Sequence, residues 1–247
     1  MYDPAVDLVL RAVIAKEPYE KISEKITSGL LPYIDELTRE RRFTVLQQAI
    51  GQCTKCGLCK EPFAKAMPEG NTYAEIMLIG EAGGEQEVLQ SRPFVGPAGQ
   101  LLDRMLKAAA EKIDIRFNRK NLYITNVVKG RPVEDNKNRP PSDKEKIACY
   151  NFLTQEIELV KPKLVLCLGS VAGETVISPD FKISRDIGKF YGDKTKMVAM
   201  YHPSYLLHLK DDSPEQIKAK QDCWKVLESI DRYFKEIEKE EEPKETN

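Results

Sequence analysis

Residues 74–84 read AEIMLIGEAGG. A short apolar run, Ile76 to Ile79, closes on Gly80, the signature of a strand buried on both faces. The next regular stretch, GPAGQLLDRMLKAAAEK, carries Leu101, Leu102, Met105, Leu106 and Ala109 at helical spacing. A buried strand followed by an amphipathic helix is the unit of an α/β fold, and the chain repeats it. NLYITNVV (121–128), KPKLVLCLG (161–169) and KMVAMYHPS (196–204) read as further strands. Between them, PSDKEKIACYNFLTQEIELV opens with Ser142 as N-cap and Glu145 three residues on, a capping box. SVAGETVI is a short helix, and SPEQIKAKQDCWKVLESIDRYFKEIEK is the last long one. Alternating strands and helices predict an α/β domain with a mostly parallel sheet. Ligands of such sheets sit at the carboxyl ends of the strands, where GEAGG, NVVKGRP, LGS and YHPS fall.

The flanks differ. VDLVLRAVIA places Val6, Leu8, Val9, Leu10, Val13 and Ile14 on one broad stripe, and TVLQQAIGQC stops at Gly51. Residues 1–50 are therefore expected to be a helical extension used for packing or for contact with a partner protein. Residues 51–235 form the main domain, and 236–247 a charged, solvated tail. No apolar stretch reaches the roughly 18–20 residues of a membrane span. The first residues lack the pattern of a secretory signal. A cytoplasmic protein, away from membranes and monomeric, is the expectation. The 38 Lys+Arg against 39 Asp+Glu give a net charge of −1, which excludes a globally basic nucleic-acid binder but averages over local patches. The richness in Lys and Glu resembles hyperthermophile composition.

Six cysteines without an export signal point to thiols, metal ligands or catalysis rather than disulfides. Cys53, Cys56 and Cys59 form C-x2-C-x2-C, with Gly57 easing the turn. Three neighbouring thiolates plus a distant one suit a [4Fe–4S] cluster. Zinc, which usually draws two ligands from each of two knuckles, and free thiols are the alternatives. Among the remaining cysteines, Cys167 lies in an apolar strand and Cys223 beside Trp224 in the last helix, both as packing residues. Cys149, in a Lys-rich helix start, is the candidate fourth ligand.

GEAGGEQEVLQSRPFVGPAGQLL (80–102), NLYITNVVKGRP (121–132), NRPPSDKEKIACYNFLTQEIELVKPKLVLCLGS (138–170) and MYHPSYLL (200–207) together resemble the family 4 uracil-DNA glycosylases, the thermostable iron–sulfur branch of their superfamily. The resemblance implies a three-layer α/β/α sandwich around four parallel strands, and hydrolysis of the N-glycosidic bond of a deaminated base in DNA. That chemistry needs a donor to the base oxygen, an anionic group near the sugar and water, and a pocket for a flipped base. Glu81 resembles the acidic residue that positions water or stabilises the cationic sugar. Gly80, Ala82 and Gly83 around it let backbone and substrate approach closely. Phe94 resembles the aromatic residue that stacks on the base; beside a proline its plainer role is core packing. Asn126 resembles the amide that reads the base edge, since an amide donates and accepts at once. Asn138 resembles a further active-site polar residue. His202 resembles the histidine that bonds the base O2 as charge develops, and His208 reads as a surface or DNA-proximal residue. Ser204 is expected at phosphate, with Tyr205, Leu206 and Leu207 filling the hole left by the base. Residues 116–146 hold nine basic and four acidic side chains, a local +5 that includes Lys129 and Arg131 and suggests a DNA face.

Three departures stand out. The family has Pro where Gly83 stands and an acid where Val88 stands. It places a cluster cysteine in the segment reading Lys129-Gly130-Arg131, and Cys59 is the expected replacement. The loop RPVEDNKNRPP is longer than the family's. It lacks the histidine through which a related branch becomes linked to DNA, so covalent trapping is not expected. The reading is a uracil excision enzyme that initiates base excision repair, with hypoxanthine and xanthine as further bases. The alternatives are a non-catalytic iron–sulfur DNA-binding or damage-sensing protein, and a redox module.

Overall fold

The computed structural model describes residues 31–59 and 64–241. The stripe at residues 6–14 lies outside them. Two compact units divide the chain, residues 1–46 and 47–247. In the first, helix α1 (Leu31–Gln52) begins; it runs on into the second.

The second unit is built on a five-stranded sheet: β1 (Glu69–Gly70), β2 (Ile76–Ala82), β3 (Tyr123–Val128), β6 (Leu164–Leu168) and β7 (Lys196–Met200). The order is β1-β3-β2-β6-β7. The four strands expected from sequence are mutually parallel. The expected count is corrected by β1, a two-residue antiparallel edge strand that pairs Glu69 with Ile124. A separate hairpin, β4 (Val133–Glu134) and β5 (Lys137–Asn138), occupies the long loop after β3. Its turn residues Asp135 and Asn136 both have positive φ, which short polar side chains tolerate.

Helices cover both faces. Ile76 and Leu78 of β2 pack with Leu102 and Leu106 of α3 (Pro97–Lys112) and Leu227 and Ile230 of α8 (Pro214–Glu241). Met77 and Ile79 are as deeply buried but point the other way, as strand alternation requires. There α4 (Asp143–Val160) lies against β3, and α5 (Ser170–Val176) against β2 and β6. Each such buried aliphatic contributes about 1.5–3 kcal/mol. The capping box at Ser142 and Glu145 forms as the sequence indicates. The remaining helices are short: α2 (Glu85–Gln90), α6 (Ile183–Asp186) and α7 (Pro203–His208). Helix α8 continues into the charged tail as far as Glu241, and Glu238 pairs with Arg116. Among the described residues no helix is long and apolar enough to cross a membrane.

The chain leaves β2 for β3 on one side and returns to β6 on the other. The carboxyl ends of the strands therefore open a crevice at the reversal.

Candidate active site

A cleft of about 660 Å³ lies in that crevice, walled by residues 81–87, Phe94, Asn126, Lys137 and Asn138 of β5, and His202. Its floor is set by register. Gly80 of β2 stands opposite Asn126 of β3. A Cβ at Gly80 would lie 2.4 Å from the Asn126 Oδ1 and 2.4 Å from the Phe94 Cζ. Only glycine lets the amide and the ring converge there. Asn126 is 1% exposed and lines the cleft floor.

Phe94 is held with φ of +53°, a costly conformation for a bulky side chain. Its ring is 5.7 Å from the His202 ring, tilted by 35°. The plainer reading of Phe94 is thus half right, because it is buried and still lines the cleft. His202 leaves β7 as N-cap of α7. Gly169, after β6 at φ of +89°, gives it room: a Cβ there would lie 2.9 Å from the His202 Cβ. The Ser204 backbone N–H donates to Nδ1 at 3.2 Å, and the Ser204 Oγ is 2.7 Å from the same nitrogen. A nitrogen that accepts from a backbone N–H carries a lone pair, so the proton of the neutral ring sits on Nε2. Burial pushes the His202 pKa down to about 4, with the nearby Glu87 charge opposing. His202 is therefore a neutral donor through Nε2 at neutral pH.

Glu81 lines the cleft at the end of β2. Burial raises its pKa above the ordinary carboxylate value, Glu174 raises it further and Lys146 pulls it back. Ala82 and Gly83 continue the same wall. The Gly83 N–H donates to the Gly130 carbonyl at 3.1 Å, a bond that proline at this position could not make. Across the cleft, the Asn138 Oδ1 accepts from the Arg131 Nε at 2.8 Å, and Arg131 stands 3.6 Å from Glu85. His208, expected to be a surface or DNA-proximal residue, is exposed and lines the cleft.

Two expected DNA contacts are corrected. Lys129 is 1% exposed. Its Nζ donates to Glu156 Oε2 at 2.5 Å, Thr125 Oγ1 at 2.8 Å and the Asn126 carbonyl at 2.7 Å. A buried ammonium needs such a full set of acceptors, and this one has no surface left for phosphate. Leu206 is 1% exposed in the main core, while Tyr205 and Leu207 on the same helix are 44% and 45% exposed. The +5 segment is also largely paired. Arg116, Arg119, Lys129, Arg131, Arg139 and Lys146 all meet carboxylates. Among the described residues Lys120, Lys137 and Lys144 have no ion pair, and Lys137 lines the cleft. Glu87, which the sequence reading passed over, lines it too. An acid in a six-residue helix carries no motif signal.

The cysteines form a second neighbourhood, after β3. Cys53 and Cys56 are half-buried, Cys59 and Cys149 buried. Burial pushes the Cys59 thiol up to about 11; Lys65 opposes, and Cys56, Cys149 and Cys53 add to the rise. Burial likewise raises Cys149, against the Lys129 backbone N–H. A Cβ at Gly130 would lie 2.8 Å from the Cys59 Sγ, so Cys59 fills the space where a side chain at 130 would begin. Four thiols in one electrostatic neighbourhood are a donor set suited to a soft metal group. Among the described residues, however, no three His, Cys, Asp or Glu side chains stand arranged to hold a metal ion. Cys167 and Cys223 are core residues, as expected.

Chemically, the cleft offers an aromatic face, an amide that donates and accepts, a neutral imidazole donor and a carboxylate. That combination suits a flat heterocycle with adjacent carbonyl and imide groups whose departure leaves negative charge. A sequence profile described as the uracil DNA glycosylase superfamily matches residues 67–228. A protein of Archaeoglobus fulgidus named type-4 uracil-DNA glycosylase is 36% identical over 184 residues, covering 71% of this chain and 83% of its own. Its namesake in Thermotoga maritima is 33% identical over 207 residues, 82% of this chain and 98% of its own. One in Saccharolobus solfataricus is 34% identical over 197 residues, 75% and 85% respectively.

Proposed function

Because the chain belongs to the uracil DNA glycosylase superfamily, beside its type-4 members, we propose that it removes uracil from DNA by hydrolysing the N-glycosidic bond of an extruded nucleotide. The observation that carries this reading is the convergence at Gly80, where Phe94 and Asn126 meet beneath a neutral His202. Phe94 stacks on the base, and the Asn126 amide pairs with its carbonyl and N3–H. As the C1′–N1 bond breaks, the electron pair goes to the base. The His202 Nε2–H donates to O2 where that charge collects, without needing to transfer a proton. Glu81, as a carboxylate, stabilises the sugar cation and orients the water. As the water oxygen bonds to C1′ one O–H bond breaks, Glu81 takes that proton, and the proton then passes through solvent to the uracil anion. The products are free uracil and an abasic site, the starting point for base excision repair. Hypoxanthine and xanthine share a carbonyl beside a ring N–H and are further candidate substrates.

Cys53, Cys56, Cys59 and Cys149 would hold a [4Fe–4S] cluster, Cys59 standing in for a ligand at position 130. When bound, the cluster would cross-link the turn at 53–59 to α4, a structural contribution to folding. Iron and acid-labile sulfide in anaerobically purified protein support this, and zinc alone, or no metal, contradicts it.

The activity is tested with oligonucleotides carrying uracil, hypoxanthine or xanthine, treated with protein and then alkali. Strand scission at uracil that is lost in His202→Ala and Glu81→Ala, both still folded, is the expected result. DNA binding with no alkali-labile site at any base would return the protein to the non-catalytic reading.

A further inference from the structure

The loop that carries Phe94 poses a physical problem. Phe94 sits at φ of +53°, and the space beside its carbonyl is kept open by Gly99, where a Cβ would lie 2.0 Å from the Phe94 oxygen. The loop has no regular structure of its own, and its two following N–H groups, Val95 and Gly96, precede α3 with no side-chain cap from Gly96. Such a conformation persists only when its surroundings over-determine it.

Glu87 supplies that constraint from inside the cleft. Its Oε1 accepts from the Val95 N–H at 2.8 Å and from the Gly96 N–H at 2.7 Å. The carboxylate lies between two glycines. A Cβ at Gly84 would come within 2.4 Å of Oε2, and one at Gly96 within 3.1 Å of Oε1. From the outer side, Arg119 donates to the Pro93 carbonyl at 2.8 Å and is itself held by Glu69 and Asp103. Two of the acids that line the cleft, Glu81 and Glu87, thus differ. Glu81 has no hydrogen bond to the backbone among those the structure records and stays available, whereas one oxygen of Glu87 is committed to two N–H groups. Charge-assisted bonds of this kind are about twice as strong as neutral ones.

We propose that Glu87 is a positioning residue that clamps the 92–96 loop through the Val95 and Gly96 amides and so sets Phe94 at its stacking distance from His202. This rests on the glycosylase reading of the same cleft. A shift of the aromatic platform by about 1 Å is enough to cost about 100-fold in rate.

The test compares full-length Glu87→Ala and Glu87→Gln with the parent protein by two readouts. The first is single-turnover release of uracil from a duplex with one uracil, with enzyme saturating and substrate affinity measured separately. The second is native-state amide exchange at Val95 and Gly96. Glu87→Ala is expected to lose about 100-fold in the saturated rate, with a smaller change in affinity. Its two amides should exchange at least about tenfold faster. Glu87→Gln keeps a carbonyl oxygen that can accept both N–H groups, so it should recover at least about tenfold of the lost rate and restore amide protection. Unchanged protection in Glu87→Ala overturns the clamp. So does a Gln variant as impaired as Ala, because charge and not bonding would then matter. If the parent protein releases no uracil, the glycosylase reading falls, and the exchange measurement still decides the clamp.

Discussion

Strand β3 and the residues just after it meet two unlike surroundings within five positions. At Asn126 the chain enters the cleft, where every close approach is already closed: Gly80 admits the amide and ring, Gly169 admits His202, and Ser204 fixes the imidazole. At Lys129 and Gly130 it enters the cysteine neighbourhood, where four thiols share one electrostatic environment without forming a coordination shell. The cleft is held by close contacts within the chain itself. The cysteine region has the chemistry of a site whose geometry a bound group would complete. Lys129 belongs to both, since its ammonium supports the Asn126 carbonyl and its backbone N–H acts on Cys149.

The comparison breaks most sharply at His202. Removing the donor proposed to face the base O2 should cost about 10²–10³-fold in excision rate in a variant that still unfolds cooperatively, read by single-turnover kinetics and thermal denaturation. Next comes Lys129. Lys129→Met leaves Glu156 charged and buried, and should cost about 3–5 kcal/mol in denaturant unfolding. Lys129→Met with Glu156→Leu should regain most of it. A loss in DNA affinity alone, with stability intact, would instead restore Lys129 to the DNA face.

The third prediction separates two neighbours on α7. Leu206→Ala should destabilise by about 2–5 kcal/mol because it opens a cavity in the main core. Leu207→Ala should leave stability within about 0.5 kcal/mol and act, if at all, on DNA binding. The smallest effect concerns pH. Glu81 must be ionised, and its pKa lies above the ordinary carboxylate value, so excision should fall with decreasing pH before His202, at about 4, gains its proton. Burial is the main cause of that rise and Glu174 the next. Glu174→Gln should therefore move the acid limb of the rate profile slightly downward.

What could be read from sequence follows from the range over which each signal acts. The four parallel strands were legible because each is a compact apolar run, and α4 because its cap lies within three residues of its start. Strand β1 and the β4–β5 hairpin, with two residues per strand, are too short to show a period. The cleft residues were legible as motifs at strand ends. Lys129 was misjudged because its partner, Glu156, is 27 positions away on another element. Leu206 was misjudged because one turn and a half of helix does not reveal which of three adjacent side chains faces inward. Glu87 was missed because its importance lies in two backbone amides that no residue type advertises.

Excision of uracil in this cleft, as proposed, depends on a neutral His202. The most direct measurement is release of free uracil from a duplex with one uracil, by the parent protein and by His202→Ala purified in parallel and matched for melting temperature. Release by the parent and a loss of about 10²–10³-fold in the variant are the expected outcome. Equal release by both, or none by the parent, would contradict it.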